Sequence, residues 1–258
     1  MGKVERKMPK EVLYSQLARY YDKIYWWKDY EREVSFLTGA FRKYGVEVRK
    51  LLEVASGTGN HTKILTRLGY DVTGVDISDD VLRIARKKVP SGATFIRGDM
   101  RNLGTFVEGE FDAVVCMFSA ISYNVGIPDL LRTLNGFYGR LRHGGIVVFD
   151  THFTKKGFIN RYRGEDIFDE GDVIGARLGT SSRRGGIGKI NFTYLIKDKK
   201  KIIVIRNDIH KLGLFDPTDI IRVMRDVGFI RTKMYKDWTL KRRKKPKGGE
   251  NIFVGIKP

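Results

Sequence analysis

The strongest constraint on this chain is an apolar run that leads into a glycine-rich turn, LLEVASGTGN at residues 51–60. A second apolar run, VTGVD at residues 72–76, ends in Asp76. This order predicts a strand, a glycine turn, a short helix and a second strand that ends in a carboxylate. Glycines let backbone approach a ligand closely, and an acid at this place can accept hydrogen bonds from both ribose hydroxyls. The two runs therefore predict a site for an adenosine moiety.

Two details distinguish this turn from the dinucleotide-binding turn of a dehydrogenase. The third glycine of G-x-G-x-x-G is absent, because residues 57–62 read GTGNHT. An acid, Glu53, stands before the first glycine, and the dinucleotide pattern has none there. A lone G-x-G is also found in ordinary strand-to-helix turns, but acids on both sides of it favour cofactor binding.

The elements predicted before residue 155 alternate between strands and helices, which indicates a parallel sheet that binds ligands at the carboxyl ends of its strands. The predicted helices are 10–25, 29–44, 60–68, 79–88 and 128–141, and the predicted strands are 50–55, 71–75, 93–97, 111–117 and 145–150. Ser78 suits the N-cap of the helix at 79–88.

Later β-rich runs at 173–182, 187–196 and 201–212 predict an inserted antiparallel meander. A helix at 216–227 and strands at 229–239 and 251–257 complete the main sheet, with the basic run 241–247 as a hairpin loop. The predicted fold is α/β, with a doubly wound, mostly parallel seven-stranded sheet and an antiparallel last strand. The parts are an N-terminal helical lid (1–45), a Rossmann-like cofactor-binding domain (46–155 and 213–258) and the inserted β subdomain (156–212).

Composition limits the compartment and the partners. The chain has 258 residues, of which 41% are hydrophobic, and no apolar run reaches the roughly 18–20 residues of a membrane span. Residues 1–10 are charged and Cys116 is the single cysteine, so we expect a cytoplasmic protein. The net charge of +19 favours an anionic partner such as nucleic acid, a nucleotide-sugar or a phosphorylated metabolite. A solvated basic surface without a partner is the alternative.

Three further groups of residues carry possible chemistry. Asp99 and Met100 follow the third strand, where a carboxylate can accept the adenine amino group and a methionine can cover the base. The segment from Met117 to Tyr123 follows the fourth strand and should lie beside the reacting centre. Tyrosines crowd residues 14–25, where rings could cover a cofactor and steady a cation. Packing of a helix against the sheet is the alternative for those rings.

The four histidines show no metal-ligand spacing with Cys, Asp or Glu, so we expect no metal site. His61, behind the glycine turn, and His152, after the fifth strand, are candidates to face a substrate. His143 and His210 are expected on the surface or in packing.

The motifs together resemble one subgroup of a known family. In order they are Y-x-x-L-A-x-x-Y-D-x-x-Y, L-L-E-V-A-S-G-T-G-N-H-T, G-D-M-R-N-L and F-D-A-V-V-C-M-F-S-A-I-S-Y. They are similar to class I S-adenosylmethionine-dependent methyltransferases, and within these to the sugar-amine N,N-dimethyltransferases and the related glycine and sarcosine N-methyltransferases. Ser56 departs from the pattern, since relatives often have Cys or Gly there.

The resemblance implies the fold, the cofactor S-adenosyl-L-methionine and the roles of matched residues. Tyr14 and Tyr21 would contact the methionyl part of the cofactor, Asp76 the ribose, and Met117 the methyl-donor region. The expected cofactor site comprises Tyr14, Tyr21, Glu53, Ala55, Ser56, Gly57, Thr58, Gly59, Asp76, Ile77, Asp99, Met100, Met117 and Phe118. The expected substrate-binding residues are Ser119, Tyr123 and His152, and the expected catalytic residues are Tyr14, which positions the reactants, and His152.

The resulting hypothesis is in-line methyl transfer to a small-molecule amine, with the meander in the substrate pocket or in a homodimer interface. An RNA or protein methyltransferase that uses the basic surface is the second hypothesis. A non-catalytic adenosine-binding regulator is the third.

Overall fold

The computed structural model describes residues 11–240 and 249–258. Its strands are β1 (Lys50–Val54), β2 (Asp71–Asp76), β3 (Ala93–Arg97), β4 (Phe111–Cys116), β5 (Leu141–Thr151), β6 (Arg163–Glu170), β7 (Val173–Arg184), β8 (Ile187–Asp198), β9 (Lys201–Gly213), β10 (Ile230–Lys236) and β11 (Asn251–Ile256). Its α-helices are α1 (Tyr21–Ile24), α2 (Tyr30–Tyr44), α3 (Asn60–Arg67), α4 (Asp79–Lys88), α5 (Ile127–Arg140) and α6 (Pro217–Val227).

A seven-stranded sheet in the order β10-β11-β5-β4-β1-β2-β3 forms the centre of the structure. Strands β1 to β5 pair in parallel, and β11 is antiparallel to both β5 and β10. The order reverses at β1, between β4 and β2, and a reversal of this kind opens a crevice at the carboxyl ends of the strands. The predicted α/β fold with an antiparallel last strand is confirmed.

Alternation along the strands explains why helices cover both faces of this sheet. Leu52 and Val54 of β1 face one side, in a fully buried cluster with side chains of α5 and α6. Leu51 faces the other side, among apolar residues of α2 and α3. Each buried leucine contributes about 1.5–3 kcal/mol relative to exposure. The two layers hold the sheet rigid, and they leave its carboxyl edge to loops.

The predicted helix boundaries at α2 and α4 are confirmed, because local caps fix them. Asp29 caps α2 by accepting the Arg32 amide, and Gly45 ends it in a left-handed conformation with φ +73°. Ser78 Oγ accepts the amides of Asp80 and Val81 at the start of α4.

The inserted sheet has four strands in the order β6-β7-β8-β9, one more than the meander predicted from sequence. Strand β6 escaped prediction because its sequence, RGEDIFDE, is mostly charged, and Phe168 is its one buried residue. The inner face of this sheet packs against Leu13, Leu17 and Tyr20 of the N-terminal segment.

The continuous helix predicted over residues 10–25 is wrong. The segment instead forms two 3-10 turns, Val12–Tyr14 and Ala18–Tyr20, followed by the single turn of α1. Ser15, at φ −124° and ψ −95°, interrupts the helical path. Tertiary contacts explain the break, since the amides of Val12 and Leu13 donate to the carboxylate of Asp208 on β9.

The predicted hairpin loop at 241–247 lies outside the described residues. Over 11–240 and 249–258, no helix has both the length and the apolar character needed to cross a bilayer. In the same ranges no group of three or more His, Cys, Asp or Glu side chains is arranged to hold a metal ion.

Candidate active site

The glycine turn between β1 and α3 adopts a conformation that its sequence permits. Gly57 (φ +56°) and Gly59 (φ +78°) lie in the left-handed region, as does Ala55 (φ +58°). A Cβ added at Gly57 would meet no atom within 4 Å. The turn therefore presents backbone to open space above the end of β1, as close approach of a ligand requires.

Asp76 closes this turn from the end of β2. Its carboxylate accepts the Gly57 amide at 2.9 Å and the Ser78 amide at 2.9 Å. Burial raises the pKa of Asp76 to about 6, although these hydrogen bonds favour the ionised form. Ile77 follows with its side chain exposed. A half-buried carboxylate with lone pairs to spare thus stands beside the turn, where the sequence predicts a ribose.

Asp99 caps a 3-10 helix, Met100–Thr105, after β3. Its carboxylate accepts the Arg101 amide at 2.9 Å and pairs with the Arg101 guanidinium. Burial raises the pKa of Asp99, but the hydrogen bonds and the charge of Arg101 together have the larger, opposite effect. The pKa therefore lies below its usual value. Met100 is half-buried, with its sulfur 3.6 Å from the amide nitrogen of Asn124. Any adenine amino group that binds Asp99 therefore shares it with Arg101.

The loop after β4 is held in an unusual backbone conformation. Phe118 (φ +60°) and Ser119 (φ +58°) are consecutive residues in the left-handed region, which costs about 1–3 kcal/mol at each. The Ser119 amide donates to Asp150 at 2.9 Å, at the end of β5. Burial, helped by the charge of Glu33, raises the pKa of Asp150 to about 7. The neighbouring strand thus fixes the loop, including buried Met117, at the carboxyl edge of the sheet.

The N-terminal segment lies over these loops and is bonded to them. Asp22 accepts hydrogen bonds from Thr58 Oγ1 at 2.6 Å, Asn60 Nδ2 at 2.9 Å and Lys88 Nζ at 2.7 Å. The carbonyl of Tyr14 accepts the hydroxyl of Ser78. These contacts tie the segment to the glycine turn and to the start of α4.

Tyrosine rings of the same segment form a cluster above the sheet edge. The Tyr21 ring lies 6.1 Å from that of Tyr14 and 4.9 Å from that of Tyr25, and the Tyr25 ring lies 5.0 Å from that of Phe118. The Tyr14 hydroxyl is 2.8 Å from the Tyr123 hydroxyl. The structure therefore brings Tyr14, Tyr21, Phe118 and Tyr123, all expected site residues, together.

A buried polar network lies behind the glycine turn. Glu33 binds the ammonium of Lys28 and, at 2.6 Å, Nε2 of His61. Glu53 accepts the Thr62 hydroxyl at 2.5 Å and lies 3.8 Å from the other His61 nitrogen. All five side chains are buried, and removing one partner of such a network typically costs 3–5 kcal/mol. The suggestion that His61 faces a substrate is wrong, because both ring nitrogens point to these carboxylates.

Comparison with known proteins assigns the chain to a family. Residues 51–145 match the model of a family described as methyltransferase domain. The chain is 32% identical over 229 residues to dTDP-3-amino-3,4,6-trideoxy-alpha-D-glucopyranose N,N-dimethyltransferase of Streptomyces venezuelae, covering 89% of this chain and 92% of that protein. It is 31% identical to dTDP-3-amino-3,6-dideoxy-alpha-D-glucopyranose N,N-dimethyltransferase of Streptomyces fradiae, over 78% of each. It belongs to the S-adenosylmethionine-dependent methyltransferases. The glycine/sarcosine/dimethylglycine N-methyltransferase of Actinopolyspora halophila is 29% identical, over 84% of this methyltransferase and 37% of its own length.

Solved structures agree with this assignment. Streptomyces venezuelae DesVI superposes with a TM-score of 0.78 at 27% identity, covering 94% of this methyltransferase and 95% of DesVI. The S-adenosylmethionine-bound amino pentose methyltransferase CalS10 of Micromonospora echinaspora has the same fold, with a TM-score of 0.76 at 23% identity and coverage of 90% and 92%. The predicted family and the predicted cofactor, S-adenosylmethionine, are confirmed.

The methyltransferase also offers groups that fit this cofactor. The turn at Gly57 leaves open space where a Cβ would stand, and the carboxylate of Asp76 lies beside it. The hydroxyl of Ser56 is buried and has no hydrogen-bond partner in the described part of the chain. Glycine backbone, an acid and an unpaired hydroxyl are the groups that an adenosyl and amino acid ligand needs.

His152 is one of the two predicted catalytic residues. Its ring contacts Phe153 rather than the tyrosine cluster. Its side chain is exposed and borders Gly249, where a Cβ would lie 2.3 Å from the imidazole. Its backbone amide donates to Ser119 Oγ at 2.9 Å, so that its main chain, at least, reaches the loop after β4. Its catalytic role stays a prediction.

Several residues of the site escaped sequence reasoning. Asp22 and Lys88 join the N-terminal segment to the core, and Asp150 fixes the loop after β4. His210, expected on the surface or in packing, is buried and hydrogen-bonded to Tyr123 at 2.6 Å. A signal was present for His210, because Asp208 stands two residues earlier in a predicted strand and must therefore share its face.

Proposed function

We propose that this methyltransferase transfers the methyl group of S-adenosylmethionine to the amine of a small molecule, and specifically to an amino sugar carried on a nucleoside diphosphate. The single observation that carries the proposal is the breadth of the match. The alignment with the Streptomyces venezuelae dimethyltransferase covers 89% of this chain, far more than the cofactor-binding region at 51–145. The resemblance thus extends into segments that have no part in a minimal methyltransferase domain.

Charge supports a nucleotide-linked acceptor over a free amino acid. The chain carries 49 Lys and Arg against 30 Asp and Glu, for a net charge of +19. A diphosphate-linked sugar is anionic, and a field of this sign raises its local concentration and its rate of association. Glycine and sarcosine have no net charge near neutral pH and would gain little from that field.

The division of the chain follows from the same proposal. Of the expected lid at 1–45, residues 11–25 act as the lid over the cofactor and α2 packs on the main sheet, while the inserted sheet at 156–212 closes the acceptor side. Support comes from the packing of Leu13, Leu17 and Tyr20 against the inner face of the inserted sheet. Asp22 fastens the other side of the lid to Thr58 and Asn60.

The predicted site residues have these roles in the proposal. The bound cofactor supplies a methyl group already activated as a sulfonium. Asp76 and the turn at Gly57 hold the adenosyl part, Asp99 and Met100 the base, and Met117 and the tyrosines surround the methyl group. Alignment of two held reactants can supply about 7–11 kcal/mol of the barrier reduction. Cys116 takes no part, since burial raises its thiol pKa well above the usual value.

The test is transfer of a labelled methyl group to defined acceptors. The panel is dTDP-3-amino-3,6-dideoxyglucose, glycine, sarcosine and total RNA, each at low and high salt. We expect labelling of the nucleotide-sugar, with one and then two methyl groups by mass. Preferential labelling of glycine would move the acceptor to a free amino acid. Labelling of RNA alone, lost steeply with salt because phosphate contacts release counterions, would refute a small-molecule acceptor.

We further propose that the protein forms a homodimer through the outer face of the inserted sheet. Ile167, Ala176, Leu195 and Val204 form one row across β6, β7, β8 and β9. Ile167 is 68% exposed, Leu195 53% and Val204 49%. An exposed apolar row across a whole sheet is typical of an interaction site.

A second copy is the partner that the charges of this face fit. Acidic Glu165 and Asp169 flank Ile167 at the β6 edge, whereas Lys197 and Arg206 lie on β8 and β9. A two-fold axis parallel to the strands places the β6 edge of one copy over the β9 edge of the other, which pairs opposite charges twice.

Light scattering after size-exclusion chromatography tests the dimer. We expect a dimer for the natural protein and a monomer for Leu195→Glu. Ile230→Glu, at a site 48% exposed on the other sheet, is the matched control and should stay dimeric. A monomeric natural protein, or a dimer that Leu195→Glu leaves intact, would refute this interface.

We also propose a cytoplasmic location, because the single cysteine, Cys116, is buried and has no second cysteine for a disulfide within the chain.

A further inference from the structure

Four side chains from three separate segments form a continuous hydrogen-bonded chain at the inner face of the inserted sheet. The Tyr14 and Tyr123 hydroxyls are 2.8 Å apart. Tyr123 lies 2.6 Å from Nδ1 of His210, and Nε2 of His210 lies 3.1 Å from Asp208. His210 and Asp208 are buried, and neither is assigned a role by the cofactor motifs.

Asp208 decides the direction in which the groups of this hydrogen-bonded chain donate. Its carboxylate accepts the amides of Val12 at 2.7 Å and Leu13 at 3.1 Å. Burial raises the pKa of Asp208, but His210 and these two amides together have the larger, opposite effect. The pKa therefore stays below its usual value. An ionised Asp208 accepts only, and therefore Nε2 of His210 carries the proton that faces it.

The remaining bonds follow from that tautomer. Nδ1 of His210 is left as an acceptor, so the Tyr123 hydroxyl donates to it. The Tyr123 oxygen in turn accepts the hydroxyl proton of Tyr14. The Tyr14 oxygen is the end of this hydrogen-bonded chain, and its lone pairs can accept a hydrogen bond from one further donor.

The main chain and the ring of Tyr14 lie on the cofactor side of the molecule. The Tyr14 carbonyl accepts the Ser78 hydroxyl at the start of α4, and the Tyr14 ring lies 6.1 Å from that of Tyr21. Asp76, the predicted ribose acceptor, binds the Ser78 amide at 2.9 Å. The chain therefore runs from the cofactor loops to a histidine buried behind them.

We infer that His210 takes up the proton that the amine acceptor must lose before it is methylated, through Tyr123 and Tyr14. The inference rests on the proposed function. The ammonium proton passes to Tyr14, the Tyr14 proton to Tyr123, and the Tyr123 proton to Nδ1 of His210. The freed nitrogen lone pair then forms the bond to the methyl carbon, while the pair of the broken carbon–sulfur bond stays on sulfur. The imidazolium returns its proton to solvent before the next turnover, and Asp208 positions it and balances its charge.

The surroundings favour histidine over tyrosine as the final acceptor. Burial raises the pKa of Tyr14 and of Tyr123 well above the usual value, so neither stores a negative charge near neutral pH. The His210 imidazole would instead become a cation, whose charge the Asp208 carboxylate 3.1 Å from Nε2 balances. The groups that face the imidazole are Asp208 beside it on β9, Tyr14 and Tyr123 as above, and the Phe192 ring of β8 at 5.4 Å.

Besides burial, two charges act on tyrosines in or beside this hydrogen-bonded chain. Glu11, next to Val12, raises the pKa of Tyr123. Asp208 likewise raises the pKa of Tyr194 on β8, after burial and Tyr25.

The test is the pH dependence of kcat in His210→Gln and Tyr123→Phe, with saturating cofactor and the acceptor that the natural enzyme methylates fastest. His143→Gln, at an exposed site on β5, is the matched control. We expect kcat at pH 7 to fall by about 100-fold in both variants and to recover as the pH approaches 10, where the acceptor is already a free amine. Cofactor affinity should stay within about twofold, since Phe keeps the ring of Tyr123 and the side-chain hydrogen bonds of Tyr123 and His210 go to Tyr14, to each other and to Asp208, not to Gly57, Asp76 or Asp99.

Other outcomes would overturn the inference. An unchanged kcat at pH 7 would remove His210 from the proton path. An equal loss at every pH would assign it a structural role only. Absence of transfer to any acceptor by the natural enzyme would refute the proposed function instead, and it would be seen before any variant is compared.

Discussion

Replacing Asp76 with alanine should weaken cofactor binding by at least 100-fold. The carboxylate accepts two backbone amides, from Gly57 and Ser78, each at 2.9 Å. Hydrogen bonds to an ionised group are worth about 1.5–3 kcal/mol each. Losing both loosens the turn that must receive the cofactor, and any ribose contact is lost as well. A total near 3 kcal/mol corresponds to about a 100-fold change in Kd.

Calorimetric titration with S-adenosylhomocysteine measures this loss. Asp71→Ala, at the exposed start of the same strand, is the matched control and should bind normally. An analogue without the ribose 2′-hydroxyl separates the two contributions, because Asp76→Ala should weaken its binding less than that of the full ligand. Binding of the full ligand within about twofold of the natural protein would refute the reasoning.

The pH dependence of the same binding gives a second measurement. The pKa of Asp76 is raised to about 6 by burial, so the carboxylate becomes protonated as the pH falls through 6. A protonated acid cannot accept all of these hydrogen bonds. We therefore expect affinity to fall below pH 6, and Asp76→Asn to lack that acid limb.

Three further predictions concern stability. Asp22→Ala should destabilise the fold by about 1–2 kcal/mol in thermal unfolding, because it strips Lys88 of a partner at 2.7 Å; an unchanged Tm would count against the fastening of the lid. Asp150, with its pKa raised to about 7 by burial, binds a proton in the folded state that the unfolded chain releases above pH 4. Its contribution to the free energy of unfolding therefore declines as the pH rises from about 4 to 7, by up to about 1.4 kcal/mol per pH unit. Denaturant titrations of Asp150→Asn at several pH values should lack that decline. Gly98→Ala would place a Cβ 2.0 Å from the Phe106 ring and should cost about 1–3 kcal/mol, a loss that Phe106→Leu in the same chain should partly restore; additive effects would exclude the clash.

Local pattern explains most of what could be read from the residues alone. Apolar alternation and helical spacing predicted β1 to β4 and α2 to α6 nearly to their ends, and β5 except for its first four residues, because these periods arise from the geometry of each element by itself. The glycine turn and Asp76 were predictable for the same reason, since each stands at the end of one of two parallel strands and therefore lies at the carboxyl edge of the sheet.

Residues far apart in the chain decided the rest. The predicted helix at 10–25 was broken by contacts with Asp208, a partner nearly two hundred residues away. The mostly charged sequence of β6 became a strand because β7 offered it a complete ladder of pairs. The chain of groups from Tyr14 to His210 exists only where three segments meet, and no single segment contains its geometry. Periodicity determined the scaffold and the cofactor loops, while packing of the inserted sheet against the N-terminal segment decided which polar side chains face one another across the site.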